Sequence, residues 1–263
     1  MQLRALAFLG LTLAAHNALA KDQWVEQPLR YAVGDTAVES VLLYDGSVDK
    51  PRPGLIIVPN WMGINEANLR QARQIVGDDY VGLVVDMYGT ATRPQNPKEA
   101  GAAAGAVKGD TEAMRARIVA ALAQLQAQSQ APLEAQDVGA IGFCFGGTVV
   151  LELARLGAAV DGVVSFHGGL ATKAPAAEEA IQAKVLVLHG ADDPYVPPAE
   201  VEGFIAEMKA ARADWSLVSY GNAVHSFTDP DANLPGQAQY NPVVAKRAYA
   251  AMDDFFAEAF AGE

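Results

Sequence analysis

A short apolar run, Val138-Gly139-Ala140-Ile141, passes directly into Gly142-Phe143-Cys144-Phe145-Gly146-Gly147, and residues 148–156 then read as a helix. Few folds accommodate a strand, a one-residue turn and a helix in such close succession. A side chain at the apex of that turn sits on strained backbone, and strand and helix crowd together two residues before and two residues after it. Glycines stand at both positions, 142 and 146. The turn lifts Cys144 off the end of its strand and sets the Phe145 amide and the helix N-terminus under any developing negative charge. The pattern predicts a nucleophile elbow; the plainer alternative is a glycine turn with a core cysteine.

The remainder of the chain fits the architecture an elbow requires. Strands are expected at 38–43, 54–58, 81–86, 138–142, 162–166, 184–189 and 216–220, several of them continuous apolar runs as strands buried on both faces should be. Helices are expected at 65–76, 110–128, 145–156, 198–211 and 242–260, while the pattern does not decide 97–108. Alternation of this kind predicts an α/β fold with a mainly parallel central sheet flanked by helices. There is no internal repeat and no low-complexity linker, so one domain is expected over residues 21–263.

Residues 1–20 are set apart from the fold. Arg4 supplies a short positive region, 5–15 an apolar stretch, and Ala18-Leu19-Ala20 a small-x-small cleavage site. The apolar run is much shorter than the roughly 20 residues of a spanning helix. A signal peptide cut after Ala20 is expected, with the protein periplasmic or secreted. A formal charge of −12 with no Lys/Arg cluster argues against nucleic acid and anionic membrane as partners. The chain has one cysteine, so no intramolecular disulfide can form, and an exported thiol must be buried or working.

An elbow calls for an acid and then a histidine further along. The 184–189 strand runs into Gly190-Ala191-Asp192-Asp193-Pro194, where Asp193 or Asp192 can orient an imidazole. The 216–220 strand is followed by a loop carrying His225. His225 would take the thiol proton and return it to the leaving alkoxide, while the aspartate fixes its tautomer. A second oxyanion donor is expected from the loop after 54–58, which makes the backbone N–H groups of Trp61 and Phe145 the candidate pair. His16 leaves with the leader, and His167 and His189 read as structural or pocket-wall residues. Neither H-E-x-x-H nor paired cysteines occur, so no metal and no other cofactor is expected.

These residues resemble the dienelactone hydrolase family. The likeness runs through Pro59-Asn60-Trp61-Met62-Gly63-Ile64-Asn65, Asp86-Met87-Tyr88, the 142–147 turn, Gly190-Ala191-Asp192-Asp193-Pro194-Tyr195-Val196-Pro197 and His225-Ser226-Phe227, in family order. The resemblance implies a single-domain α/β-hydrolase fold, no cofactor, and a Cys144-His225-Asp193 triad opening an ester or lactone through a thioester. Its register favours Asp193 over Asp192, and it points to Asn60, Tyr88 and Arg93 as pocket or supporting residues. The family's glutamate beside the oxyanion strand is Asn60 here, so Cys144 is expected to be activated by His225 and the turn's amides; the plainer alternative is that Asn60 only hydrogen-bonds its loop. Two family arginines that hold the carboxylate of dienelactone are replaced by Thr90 and Asp229, with Arg93 the nearest substitute. A neutral or differently charged small-molecule ester or lactone is therefore expected. The residues leave two other classes open, a catalytically weak ligand-binding relative and a redox-sensing thiol protein.

Overall fold

The computed structural model describes residues 23–262, so the expected leader at 1–20 lies outside the described residues. Eight strands form one sheet: β1 (Trp24–Val33), β2 (Thr36–Asp45), β3 (Arg52–Val58), β4 (Val81–Val84), β5 (Leu133–Phe143), β6 (Gly162–Phe166), β7 (Lys184–Gly190) and β8 (Trp215–Tyr220). Their spatial order is β1-β2-β4-β3-β5-β6-β7-β8. The six from β4 to β8 are parallel, and β1 and β2 extend one edge antiparallel. Six helices cover the sheet: α1 (Glu66–Val76), α2 (Pro97–Gly109), α3 (Thr111–Gln126), α4 (Phe145–Arg155), α5 (Pro198–Ala210) and α6 (Pro242–Ala259).

The continuous apolar strands feed two cores at once, because successive side chains point to opposite faces. In β3, Ile56 and Val58 join the core beneath α2–α5, whereas Leu55 and Ile57 join that beneath α1 and α6. Val185 and Val187 of β7 likewise face one side, and Leu186 and Leu188 the other. Helix starts follow local chemistry: Asn65, Asn96, Asp110 and Asn241 each accept a backbone N–H of the first turn from the N-cap position. The 97–108 stretch is a helix, begun by Asn96 and by Pro97 at the first helical position.

Two elements carry too little hydrophobic signal to be read in advance. Strand β1 pairs with β2 along its full length from Trp24↔Asp45 to Val33↔Thr36, but it is an edge strand with mostly exposed or half-exposed side chains. A two-residue ladder, β9 (Asn233–Leu234) with β10 (Ala238–Gln239), lies beyond the main sheet.

Strand order decides where a site can form. From β3 the chain moves outward to β4, then returns past β3 to β5, so the direction of winding reverses between β3 and β5. Loops leaving adjacent parallel strands on either side of such a reversal diverge and leave a crevice at their carboxyl ends. The Trp61 loop follows β3, and Cys144 follows β5.

Candidate active site

Cys144 stands between β5 and α4 with φ 55° and ψ −115°, a backbone conformation that side-chain-bearing residues rarely adopt. The crowding expected of an elbow is present. A Cβ on Gly142 would lie 2.0 Å from the Gly146 carbonyl oxygen, and one on Gly146 would lie 2.1 Å from that of Val58. Helix α4 is thereby pressed against the end of β3, which brings the Phe145 amide toward the Trp61 loop. As the first residue of α4, Phe145 has no acceptor for its N–H within the helix.

The Trp61 loop is held by its neighbours. The Asn60 carbonyl accepts Gly63 N–H at 2.9 Å, and the Asn60 side-chain oxygen accepts Met62 N–H at 3.0 Å and the Asn68 amide at 3.1 Å. Tyr88 donates its hydroxyl to the Trp61 carbonyl at 2.7 Å and packs its ring on Phe145 at 5.5 Å. Trp61 N–H is left without an acceptor among the described residues. Asn60 therefore serves the loop, and its side-chain oxygen is fully occupied there. Burial, followed by the nearness of Cys144 and Asp86, pushes the Tyr88 hydroxyl well above its ordinary value, so it stays a donor.

On the far side of the crevice, His225 Nδ1 meets Asp193 Oδ2 at 2.8 Å. Asp193 Oδ1 accepts Tyr195 N–H at 2.9 Å, so both carboxylate oxygens have donors and the group is buried. Asp192 is exposed, and its side chain makes none of these contacts. The β9–β10 ladder grips the histidine's backbone: His225 N–H donates to Gln237 at 3.1 Å, and Gln239 N–H donates to His225 at 2.9 Å. Tyr195 sets its ring edgewise to the imidazole at 5.2 Å and donates its hydroxyl to Gln237 at 3.1 Å.

Several influences act on the His225 proton. Burial alone would lower its affinity, but the hydrogen bond to Asp193 and the nearness of Cys144 outweigh burial and raise the pKa to about 10. A carboxylate, an imidazole and a thiol in this order can pass a proton off the sulfur and stabilise the imidazolium that results.

Arg93 is tied to its own loop: its guanidinium lies 3.0 Å from the buried Asp86 carboxylate and donates to the Gly89 carbonyl at 2.7 Å. Thr90 is an exposed residue whose N–H is bonded to the Ala37 carbonyl, and Asp229 accepts Asp231 N–H. Sequence reading undervalued His167. It is fully buried, and its ring contacts both the Cys144 amide and His225. The available signal was its place: Phe166-His167-Gly168-Gly169 leaves β6 beside the elbow's own strand.

A groove of about 540 Å³ runs between the α2–α3 junction and the 169–173 loop, lined by Lys108, Met114, Thr148, Lys173, Tyr195 and Glu200 among others. Thr148 lies one helical turn from Cys144, and Tyr195 is the residue that edges His225. No group of His, Cys, Asp and Glu among the described residues is arranged to hold a metal ion, and none of the described helices is long and apolar enough to cross a membrane.

A mainly parallel sheet with its elbow at the winding reversal, and an acid and a histidine after the later strands, defines an α/β-hydrolase. The model of the dienelactone hydrolase family matches residues 40–260, and the chain belongs to that family. A solved structure named m3DLH is 36% identical with a TM-score of 0.82, covering 90% of this chain and 99% of its own. A dienelactone hydrolase-like promiscuous phosphotriesterase, P91 from metagenomic libraries, is 34% identical with the same TM-score and the same coverage. A probable 2-oxo-3-(5-oxofuran-2-ylidene)propanoate lactonase of Bradyrhizobium sp is 23% identical over 206 residues, 75% of this chain and 80% of its own. The protein is a hydrolase of small-molecule esters or lactones.

Proposed function

We propose that the protein opens its ester or lactone by covalent catalysis from Cys144. His225 already holds the thiol proton in the resting pair, with Asp193 stabilising the imidazolium, and Cys144 attacks the carbonyl carbon as the thiolate. The carbonyl oxygen gains the negative charge and is held by the backbone N–H groups of Trp61 and Phe145. The tetrahedral adduct collapses to a thioester as the C–O bond breaks, and His225 returns the proton to the departing alkoxide. In a lactone that alkoxide stays tethered to the acyl group. His225 then takes a proton from water, whose oxygen attacks the thioester, and the thiol is restored with release of the acid.

The observation that carries this reading is a cysteine at φ 55° on an elbow, acting on a histidine whose other nitrogen is 2.8 Å from a buried carboxylate. The lactonase among the relatives supports the lactone half of the substrate class. With Thr90 and Asp229 at the family's arginine positions and Arg93 bound to Asp86, a neutral or differently charged substrate fits better than dienelactone itself.

A panel of activated esters, thioesters, lactones and a phosphotriester tests the proposal, with mass spectrometry of the intact protein. An acyl adduct that forms at Cys144 and then disappears, together with loss of turnover in Cys144→Ala, is the expected result. Undiminished hydrolysis by Cys144→Ala would remove Cys144 from the mechanism. We further propose that residues 1–20 direct export to the periplasm or beyond. Protein recovered from its native host should then begin at Lys21, and an intact Met1 would end that reading.

A further inference from the structure

Three strained turns meet at one buried ring. Six non-glycine residues among those described have positive φ, and three of them are Cys144 at 55°, His167 at 40° and Ser226 at 56°. The other two border the His167 imidazole: the Cys144 N–H is shared between the Phe166 carbonyl at 3.0 Å and His167 Nδ1 at 3.2 Å, and Ser226 joins His225 to Phe227, whose rings lie 5.2 and 5.0 Å from that of His167. Nδ1 can accept only if it carries no proton, which places the ring's single proton on Nε2. Nε2 faces Thr228 Oγ1 at 2.8 Å and therefore donates to it. This wiring runs from the nucleophile's own backbone, through a neutral imidazole, to the loop that carries the base.

Building on the hydrolase reading above, we infer that His167 is a positioning residue, a neutral strut that fixes the Cys144 turn relative to the His225 loop through Thr228. The requirement for a fixed separation comes from the chemistry. Cys144 and His225 stand on turns from different strands, β5 and β8, and among the described residues no backbone hydrogen bond joins the two turns. His167, on the turn after β6, ties them through its two ring nitrogens, one to the Cys144 N–H and one to Thr228. A small misplacement of reacting groups costs rate without altering how substrate is held.

The physical state of the ring agrees with this role. Burial, reinforced by the neighbouring His225, holds His167 in the neutral form, its pKa well below 6.5. A protonated Nδ1 would point a second N–H at that of Cys144, whereas the neutral Nε2–H tautomer satisfies both neighbours.

Thr228→Val tests the inference because it keeps the buried volume and removes only the hydroxyl that accepts His167 Nε2–H. In protein with the wild-type circular dichroism spectrum, kcat on an activated ester should fall about 10²-fold with KM within about twofold. The second-order rate of Cys144 alkylation by iodoacetamide at pH 7 should fall with it. Thr228→Ser, which restores the hydroxyl, should recover both rates. His167→Asn retains an acceptor for the Cys144 N–H but is too short to reach Thr228; it should behave like Thr228→Val, and it carries the test if the valine does not fold. Unchanged kcat and alkylation in the folded variants would overturn the strut, as would a serine variant no better than the valine, or a defect confined to KM. If the wild-type protein hydrolyses nothing in the panel, the hydrolase reading fails, and the alkylation rates still decide whether the strut positions the thiol.

Discussion

Replacing Asp193 by asparagine separates the carboxylate's two tasks. One oxygen accepts Tyr195 N–H at 2.9 Å and the other accepts His225 Nδ1–H at 2.8 Å. Asparagine has a single acceptor, and the Tyr195 amide is fixed in the backbone. If the oxygen stays with Tyr195, the new NH2 faces His225 Nδ1 and forces the proton onto Nε2, the nitrogen that must receive the thiol proton. The best-studied serine triad loses about 10⁴-fold in kcat from the same change, through the same tautomer error. The cost to the imidazolium can be bounded. A rise from 6.5 to about 10 corresponds to roughly 5 kcal/mol at about 1.4 kcal/mol per tenfold, shared between Asp193 and Cys144. Because the folded-state value lies above the ordinary one, this stabilisation is complete below pH 6.5 and is lost as pH rises through about 10. Asp193→Asn should therefore lower kcat by about 10³–10⁴-fold and flatten the decline of Tm between pH 6.5 and 10, while Asp192→Asn stays within twofold of wild type. Stopped-flow hydrolysis and calorimetry across that range give both readouts. A loss smaller than tenfold, or an equal loss in Asp192→Asn, would refute the assignment of Asp193 as the orienting acid.

Two further substitutions test the packing around the site. Gly146→Ala places a methyl group 2.1 Å from the Val58 carbonyl oxygen, so it should destabilise the fold by about 3 kcal/mol or more in denaturant titration, while Gly105→Ala, in open space on α2, should stabilise slightly. Arg93→Ala should cost about 1–2 kcal/mol by freeing the buried Asp86, with no change in the ratio of KM between a neutral ester and its carboxylate-bearing analogue; a selective rise for the carboxylate would return Arg93 to the substrate.

Legibility in the sequence followed the strength of the local physics. The elbow was readable because Gly142 and Gly146 occupy positions where backbone leaves no room for a Cβ, a demand expressed in the sequence itself. The placement of Cys144, Asp193 and His225 along the chain was readable because each lies just beyond a strand. Strand β1 escaped notice because its alternation, Leu29-Arg30-Tyr31-Ala32-Val33, is short and preceded by Glu26-Gln27-Pro28, which breaks the pattern. Helix α2 was undecided because alanine and glycine fill it, and only Asn96-Pro97 marks its start. Asn60, Arg93 and His167 show the other limit. Residue type says that an amide, a guanidinium or an imidazole is present, but the partner is fixed by loops brought together from distant parts of the chain. Arg93 is claimed by Asp86 and His167 by Cys144 and Thr228, and neither claim is written in local spacing.

The short β9–β10 ladder gives the site an asymmetric anchorage. Cys144 grows out of the middle of the sheet, with core on both sides, and little can change there without loss of the whole fold. His225 hangs from two backbone hydrogen bonds to a surface hairpin whose residues 233–239 are mostly exposed. Drift in the hairpin can tilt the imidazole, and Tyr195 with it through Gln237, while the nucleophile keeps its place. On the proposed mechanism the proton-transfer side of the site therefore rests on the periphery of the molecule, and the bond-forming side on its core.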